Sequence, residues 1–194
     1  MTEWVTWLSD TAWSVALRES LYMWTILEAT HVISLMLFAG LILMVDLRLL
    51  GIAFRDAPIS EFERRVLPWV VAGFAIMLIT GLVLFYAKPL TYWNNIFFRA
   101  KVAVLVLAII NIVWFHFRVQ RNQATWDTAK RLPASVRASG VVSLVAWGSI
   151  IVLGRMIAYD WYDCVKLEGG GLLATLAQCP VAETAARVSL GGPI

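Results

Sequence analysis

Four uninterrupted apolar runs, at 21–45, 67–87, 102–117 and 141–159, dominate the chain. A helix needs about 20 apolar residues to cross a hydrocarbon core of about 30 Å, so lipid is the solvent for most of this polypeptide. Water-soluble domains are typically about 45–50% apolar and about 25% charged. Here 60% of residues are hydrophobic and 15% charged, with a mean hydropathy of +0.75, which excludes a soluble enzyme. The runs are continuous and do not alternate with a period of two, so they predict helices and argue against a membrane β-barrel. The third run is short and reaches full length only if 96–98 extend it across Arg99 and Lys101, whose aliphatic stems can snorkel.

The expected architecture is all-α, a four-helix integral membrane bundle forming one domain. An interfacial amphipathic helix spans 1–19, the bundle 20–160 and a tail 161–194. Pro68 is expected just inside the start of the second span, where a missing N–H costs nothing, while Gly51, Pro89 and Pro133 mark connections. The first 20 residues contain Glu3 and Asp10 and lack a basic stretch followed by an apolar run. No secretory signal is therefore expected, and the first span serves as its own insertion signal. Trp4, Trp7, Leu8 and Val15 fall on one helical stripe. Such a segment either lies flat at the interface or caps the bundle.

A net charge of +3 is too small and dispersed for a nucleic-acid surface, but its distribution orients the spans. Arg48, Arg55, Arg64 and Arg65 lie between the first and second spans, and Arg118, Arg121, Lys130, Arg131 and Arg137 between the third and fourth. These connections are expected to be cytoplasmic, which puts both termini outside. Cys164 and Cys179 then share an exported tail, where an oxidising compartment allows a disulfide worth about 3 kcal/mol; a pair of free thiols is the alternative. Two Cys and two His exclude zinc fingers, cysteine-ligated iron–sulfur clusters and any four-imidazole scheme. Gly169–Gly171 read as a flexible turn, since the pattern of a phosphate loop does not follow.

An ionisable side chain within a span costs about 2.5–3.5 kcal/mol on insertion scales, so each one asks for a reason. Glu28 and His31 lie one turn apart on a single helical face, Arg155 precedes Tyr159 by one turn, and Lys101 stands near the start of the third span. Glu28, Lys101 and Arg155 are all expected in the outer third of the bilayer with His31 deeper. There they either snorkel separately or form one outward-facing pocket for haem propionates or a quinone headgroup. His116 ends the third span and differs from His31 in expected depth by about 14 Å, too far for one iron. Met77 is the candidate second axial ligand to a haem on His31, against the simpler role of filling space. His116 then hydrogen-bonds at the interface or marks a second site. Gly73, Met77 and Gly81 make a groove for another helix or a flat cofactor, and Asn111 and Thr80 can hydrogen-bond across helices.

Several segments together, Glu28-Ala-Thr-His31-Val32, Asp46-Leu-Arg48-Leu-Leu-Gly51, Leu67-Pro68-Trp69, Phe98-Arg-Ala-Lys101, Phe115-His116 and Gly154-Arg155-Met-Ile-Ala-Tyr159, resemble a family of small, functionally uncharacterised bacterial four-span inner-membrane proteins. The likeness covers about residues 20–160. More distantly, the chain is similar to four-helix b-type cytochromes and copper-resistance-type membrane proteins, which implies intramembrane histidines binding haem or metal, here His31. The expected function is membrane electron transfer between a periplasmic redox partner and the quinone pool, with haem b or a quinone held by His31, Glu28, Arg155, Lys101, Met77 and His116. The alternative is a cofactor-free anchor or assembly subunit of a larger membrane complex. Lipid is a partner in either case and nucleic acid in neither.

Overall fold

The structure is a computed structural model that describes residues 3–55, 58–127, 129 and 132–159. Among them there is no strand. Two short helices, α1 (Glu3–Ser9) and α2 (Ala12–Glu19), precede α3 (Leu21–Leu49) and α4 (Ile59–Ala87). The short α5 (Pro89–Asn94) leads into α6 (Ile96–Trp114), which runs into a π-helical turn (Phe115–Val119), a 3₁₀ turn (Gln120–Asn122) and α7 (Gln123–Trp126). The last described helix is α8 (Ala134–Tyr159). α3, α4 and α8, and the helical stretch Ile96–Trp126 that begins with α6, are long and apolar enough to cross a membrane. The chain is a multi-pass membrane protein. The cysteines, the glycine run, and Lys130, Arg131, Lys166 and Arg187 lie outside the described residues.

Every long helix begins earlier than the apolar runs suggest, or ends later. Asn95 accepts from the backbone N–H groups of Phe97 (3.0 Å) and Phe98 (3.2 Å), so α6 starts at Ile96 and includes Arg99 and Lys101. The cap of α4 comes from another part of the chain. The Asp127 carboxylate accepts from the Ser60 N–H (2.8 Å) and hydroxyl (2.6 Å), and its carbonyl accepts from the Ile59 N–H. Pro68 is consequently an interior residue of α4, contrary to the expectation from sequence. It removes the bond to the Arg64 carbonyl, an interruption that usually costs about 3 kcal/mol in a helix interior.

Desolvation pushes the Asp127 carboxyl upward. The Ser60 and Ile59 hydrogen bonds and the Arg48 charge outweigh it and hold Asp127 below the ordinary carboxylate range. A depressed folded-state value stabilises the fold above the unfolded carboxylate pKa, and that contribution is lost as pH falls through the folded value. Asp127→Ala is expected to cost about 1 kcal/mol at neutral pH and to flatten the acid limb of thermal stability. An unchanged acid limb would refute the cap.

Packing is asymmetric. α3 lies against α4 and α8, α6 lies against α8, and α4 and α6 make little backbone contact. The gap between these two is bridged by Phe85 and Phe98, stacked with centroids 5.4 Å apart. The central core holds Phe38, Val70, Met77, Ala108, Ala146, Trp147 and Ile150. Gly73 lets α4 approach α3 there, since a Cβ would sit 3.3 Å from that of Phe38. A second cluster, with Leu49, Ile59, Val119, Trp126 and Val136, closes the α7 end.

The opposite, α5 end carries the N-terminal segment, which breaks into two helices at Thr11. The Thr11 hydroxyl donates to the Leu8 carbonyl (2.8 Å) and lies 2.7 Å from the Tyr86 hydroxyl. Ser14 donates to the carbonyls of Tyr86 (2.9 Å) and Ala87 (3.4 Å), satisfying the end of α4, and Trp4 packs edge-on against Trp93. The segment thus caps the bundle while Trp7 and Trp13, 70% and 77% exposed, project outward, where indoles anchor at a membrane interface.

Candidate functional site: a polar layer between four helices

Antiparallel packing of α3 on α4 sets Phe38 beside Gly73 and, two turns towards the α5 end, His31 beside Thr80 and Gly81. At the same level α6 contributes Lys101 and α8 contributes Gly154. Each long helix supplies one element of a single layer, and the two glycines make room for the two ionisable side chains. A Cβ at Gly81 would lie 3.1 Å from His31 Cε1, and one at Gly154 would lie 3.3 Å from Lys101 Nζ.

The hydrogen bonds fix the imidazole. The Thr80 hydroxyl donates to the Ile76 carbonyl at 2.7 Å, so its oxygen is an acceptor towards His31 Nδ1, 2.9 Å away. A further hydrogen bond joins the imidazole to the Met77 carbonyl, which can only accept. The Thr80 oxygen calls for the proton on Nδ1, so in the neutral imidazole Nε2 carries the lone pair. Lys101 is half-buried and near enough to act electrostatically on His31. Its ammonium makes no hydrogen bond or ion pair among the described residues. With its imidazole neutral, the layer presents one strong donor and one acceptor.

Other expected site residues fall elsewhere. Glu28 is exposed and faces Tyr92, whose phenol is raised by burial and by that carboxylate. Arg155 is exposed and turns to its own helix, donating to the Tyr159 hydroxyl at 3.3 Å with its guanidinium 5.1 Å from that ring. The one salt bridge among the described residues is Arg65–Glu61. Glu28, Lys101 and Arg155 hence do not gather into an ion-paired cluster: Lys101 turns inward because Gly154 leaves space, whereas the other two have solvent or headgroups within reach. Met77 is buried in the central apolar cluster and offers the layer its backbone carbonyl.

His116 lies in the π-helical turn, where Nδ1 is 2.8 Å from Gln120 Oε1, and Gln120 and Gln123 both donate to Glu63 at 3.0 Å. Because α6 begins at Ile96, His116 stands fifteen residues beyond Lys101, about 22 Å along the axis. The two histidines are farther apart than the apolar runs alone imply. His116 belongs to the hydrogen-bonded closure of the α7 end.

The sequence predicts Thr80 to hydrogen-bond across helices, as it does to His31, reads Gly81 as part of a groove for another helix or a flat cofactor, and puts Arg48 in a connection. Arg48 is in fact 3% exposed within α3, and Asp46 beside it is 2% exposed. The available signal for Thr80 was its position on the glycine face of α4, the face that must meet α3. Asn111 does hydrogen-bond across helices, donating to the Ser139 carbonyl and accepting from its hydroxyl, both at 3.1 Å.

Neither a curated protein nor a solved structure matches the chain. The more distant likeness to four-helix cytochromes and copper-resistance proteins gains no support from similarity. A family model does match residues 18–160, a stretch that contains all four long helices, and the chain accordingly belongs to DUF6644, a family of unknown function.

Proposed function

We propose that the protein is an electron-transfer subunit of a bacterial inner membrane that binds a quinone headgroup in the layer of His31, Thr80 and Lys101. The observation that carries this reading is the half-buried Lys101 ammonium, without an acceptor among the described residues, at the level of an imidazole held through Nδ1 by Thr80. A quinone has what both groups lack: carbonyl oxygens for the ammonium and, after two-electron reduction, hydroxyl protons for the imidazole. Lys101 holds the carbonyl and favours the negative charge that builds on it, and His31 exchanges a proton at Nε2. Two electrons come from a redox partner and two protons from solution. The exposed arginines of the α7 end, Arg55, Arg64, Arg65, Arg118, Arg121 and Arg137, support an orientation with that end in the cytoplasm and the polar layer towards the periplasm.

A haem on His31 is the second reading. It is favoured by the Nδ1–H hydrogen bond to Thr80, the arrangement that orients a metal-ligating imidazole. The residues of the layer offer His31 as the iron ligand, and a second axial ligand from Met77 would require its side chain to leave the apolar cluster.

Photolabelling with a benzoquinone analogue, combined with an absorption spectrum of protein from haem-replete cells, separates the readings. The quinone reading expects labelled peptides from α3 and α6, suppressed by unlabelled quinone and lost in His31→Ala. A Soret band lost in His31→Ala would replace it with the haem reading. Neither label nor band would leave a cofactor-free anchor subunit.

A further inference from the structure

At the α7 end a different intramembrane acid is buried. Asp46 is 2% exposed on the face of α3 that meets α8, where a Cβ on Gly140 would lie 3.2 Å from Leu49 Cβ and 3.5 Å from the Asp46 carbonyl. Its carboxyl hydrogen-bonds the Ser143 side chain. The other oxygen, Oδ2, is buried with no partner among the described residues.

Among the described residues no opposite charge acts on Asp46. α8 presents Ser139, Gly140 and Ser143, all buried, while Arg137 is exposed. On α4, Glu63 is taken by Gln120 and Gln123, Glu61 pairs with Arg65, and Arg64 is exposed. On α3 itself, Arg48 lies two residues on and acts on Asp127. An ionised carboxylate with one oxygen unsolvated at this depth costs several kcal/mol, far more than a neutral carboxyl in the same place. A bound metal cation would need more oxygens, and no cluster of three ligating side chains occurs among the described residues.

The route to Asp46 is readable on α8. Ser135, Ser139 and Ser143 recur every fourth residue, so their hydroxyls form one stripe, from exposed Ser135 at the α7 end through buried Ser139 to Ser143 beside the acid. Ser139 is held by Asn111 in that row.

We propose that Asp46 is an intramembrane proton-binding site, its carboxyl neutral when loaded, exchanging protons with the solution at the α7 end along the serine stripe of α8. The site is separate from the layer around His31 and stands whether or not a quinone binds there.

Infrared spectra of the full-length protein in liposomes test it. A protonated-carboxyl C=O band should be present in the wild type at mildly acidic pH and absent from Asp46→Asn. It should shift on transfer to D₂O, and Ser143→Ala should slow that shift. Identical wild-type and Asp46→Asn spectra would overturn the site, and an exchange rate unaffected by Ser143→Ala would overturn the route. Dicyclohexylcarbodiimide, which modifies protonated carboxyls in apolar surroundings, provides a readout on the wild type alone: an adduct on the Asp46 peptide is expected, and its absence counts against the proposal.

Discussion

Lys101→Met is expected to make the protein more stable and, at the same time, to abolish binding in the polar layer. A charge inside a span costs about 2.5–3.5 kcal/mol at the bilayer centre and less towards its ends, and Lys101 has no counter-charge among the described residues to offset it. Removing it should raise stability by about 1–2 kcal/mol, read from unfolding in mixed detergent micelles. Met keeps the apolar stem of the side chain, so the space beside Gly154 stays filled. Photolabelling by the benzoquinone analogue should vanish in the same variant. This opposition of stability and binding separates a ligand site from a structural ion pair, whose disruption destabilises. A destabilised Lys101→Met, or one that still takes the label, would show that the ammonium has a structural partner and no role in the site.

The second large effect belongs to the central core. Phe38 is 2% exposed and meets Trp147 edge-on at 4.5 Å and Phe74 at 5.4 Å, with Gly73 against its backbone. Within lipid, transfer from water does not drive helix association, so close packing must hold α3, α4 and α8 together. Phe38→Ala removes a side chain on which all three converge. Its expected cost is about 3–5 kcal/mol, as for large aromatic deletions in packed cores, measured by the same unfolding assay. A loss below about 1 kcal/mol would mean that the helices collapse around the vacancy and that Phe38 does not organise the bundle.

The sequence makes individual helices legible more readily than the site they form. The Asn95 cap of α6 is local, and so is the bond that joins Met23 N–H to the Ser20 hydroxyl at the start of α3. By contrast, Asp127 caps α4 from 67 residues away, which is why Pro68 looked like the start of a helix and is not. Asp46 and Arg48 follow an apolar run, which is why the sequence puts Arg48 in a connection. Whether a charged residue at such a place faces water or a neighbouring helix depends on Gly140 drawing α8 close.

His31, Lys101, Gly73 and Gly81 could each be singled out from the chain, but which of them meet could not. Spacing gives the face of a residue on its own helix, whereas the partner depends on the axial register between helices. Caps and small-residue contacts set that register, and hydropathy does not.

Lipid as solvent, helical backbone and four crossings follow from the amino-acid order alone, because each depends on a sum over neighbouring residues. The pairing of imidazole with Thr80, the inward turn of Lys101 and the burial of Asp46 were decided by the tertiary structure. They depend on where two glycine-backed surfaces come to rest against each other, and no single segment of the chain contains both surfaces.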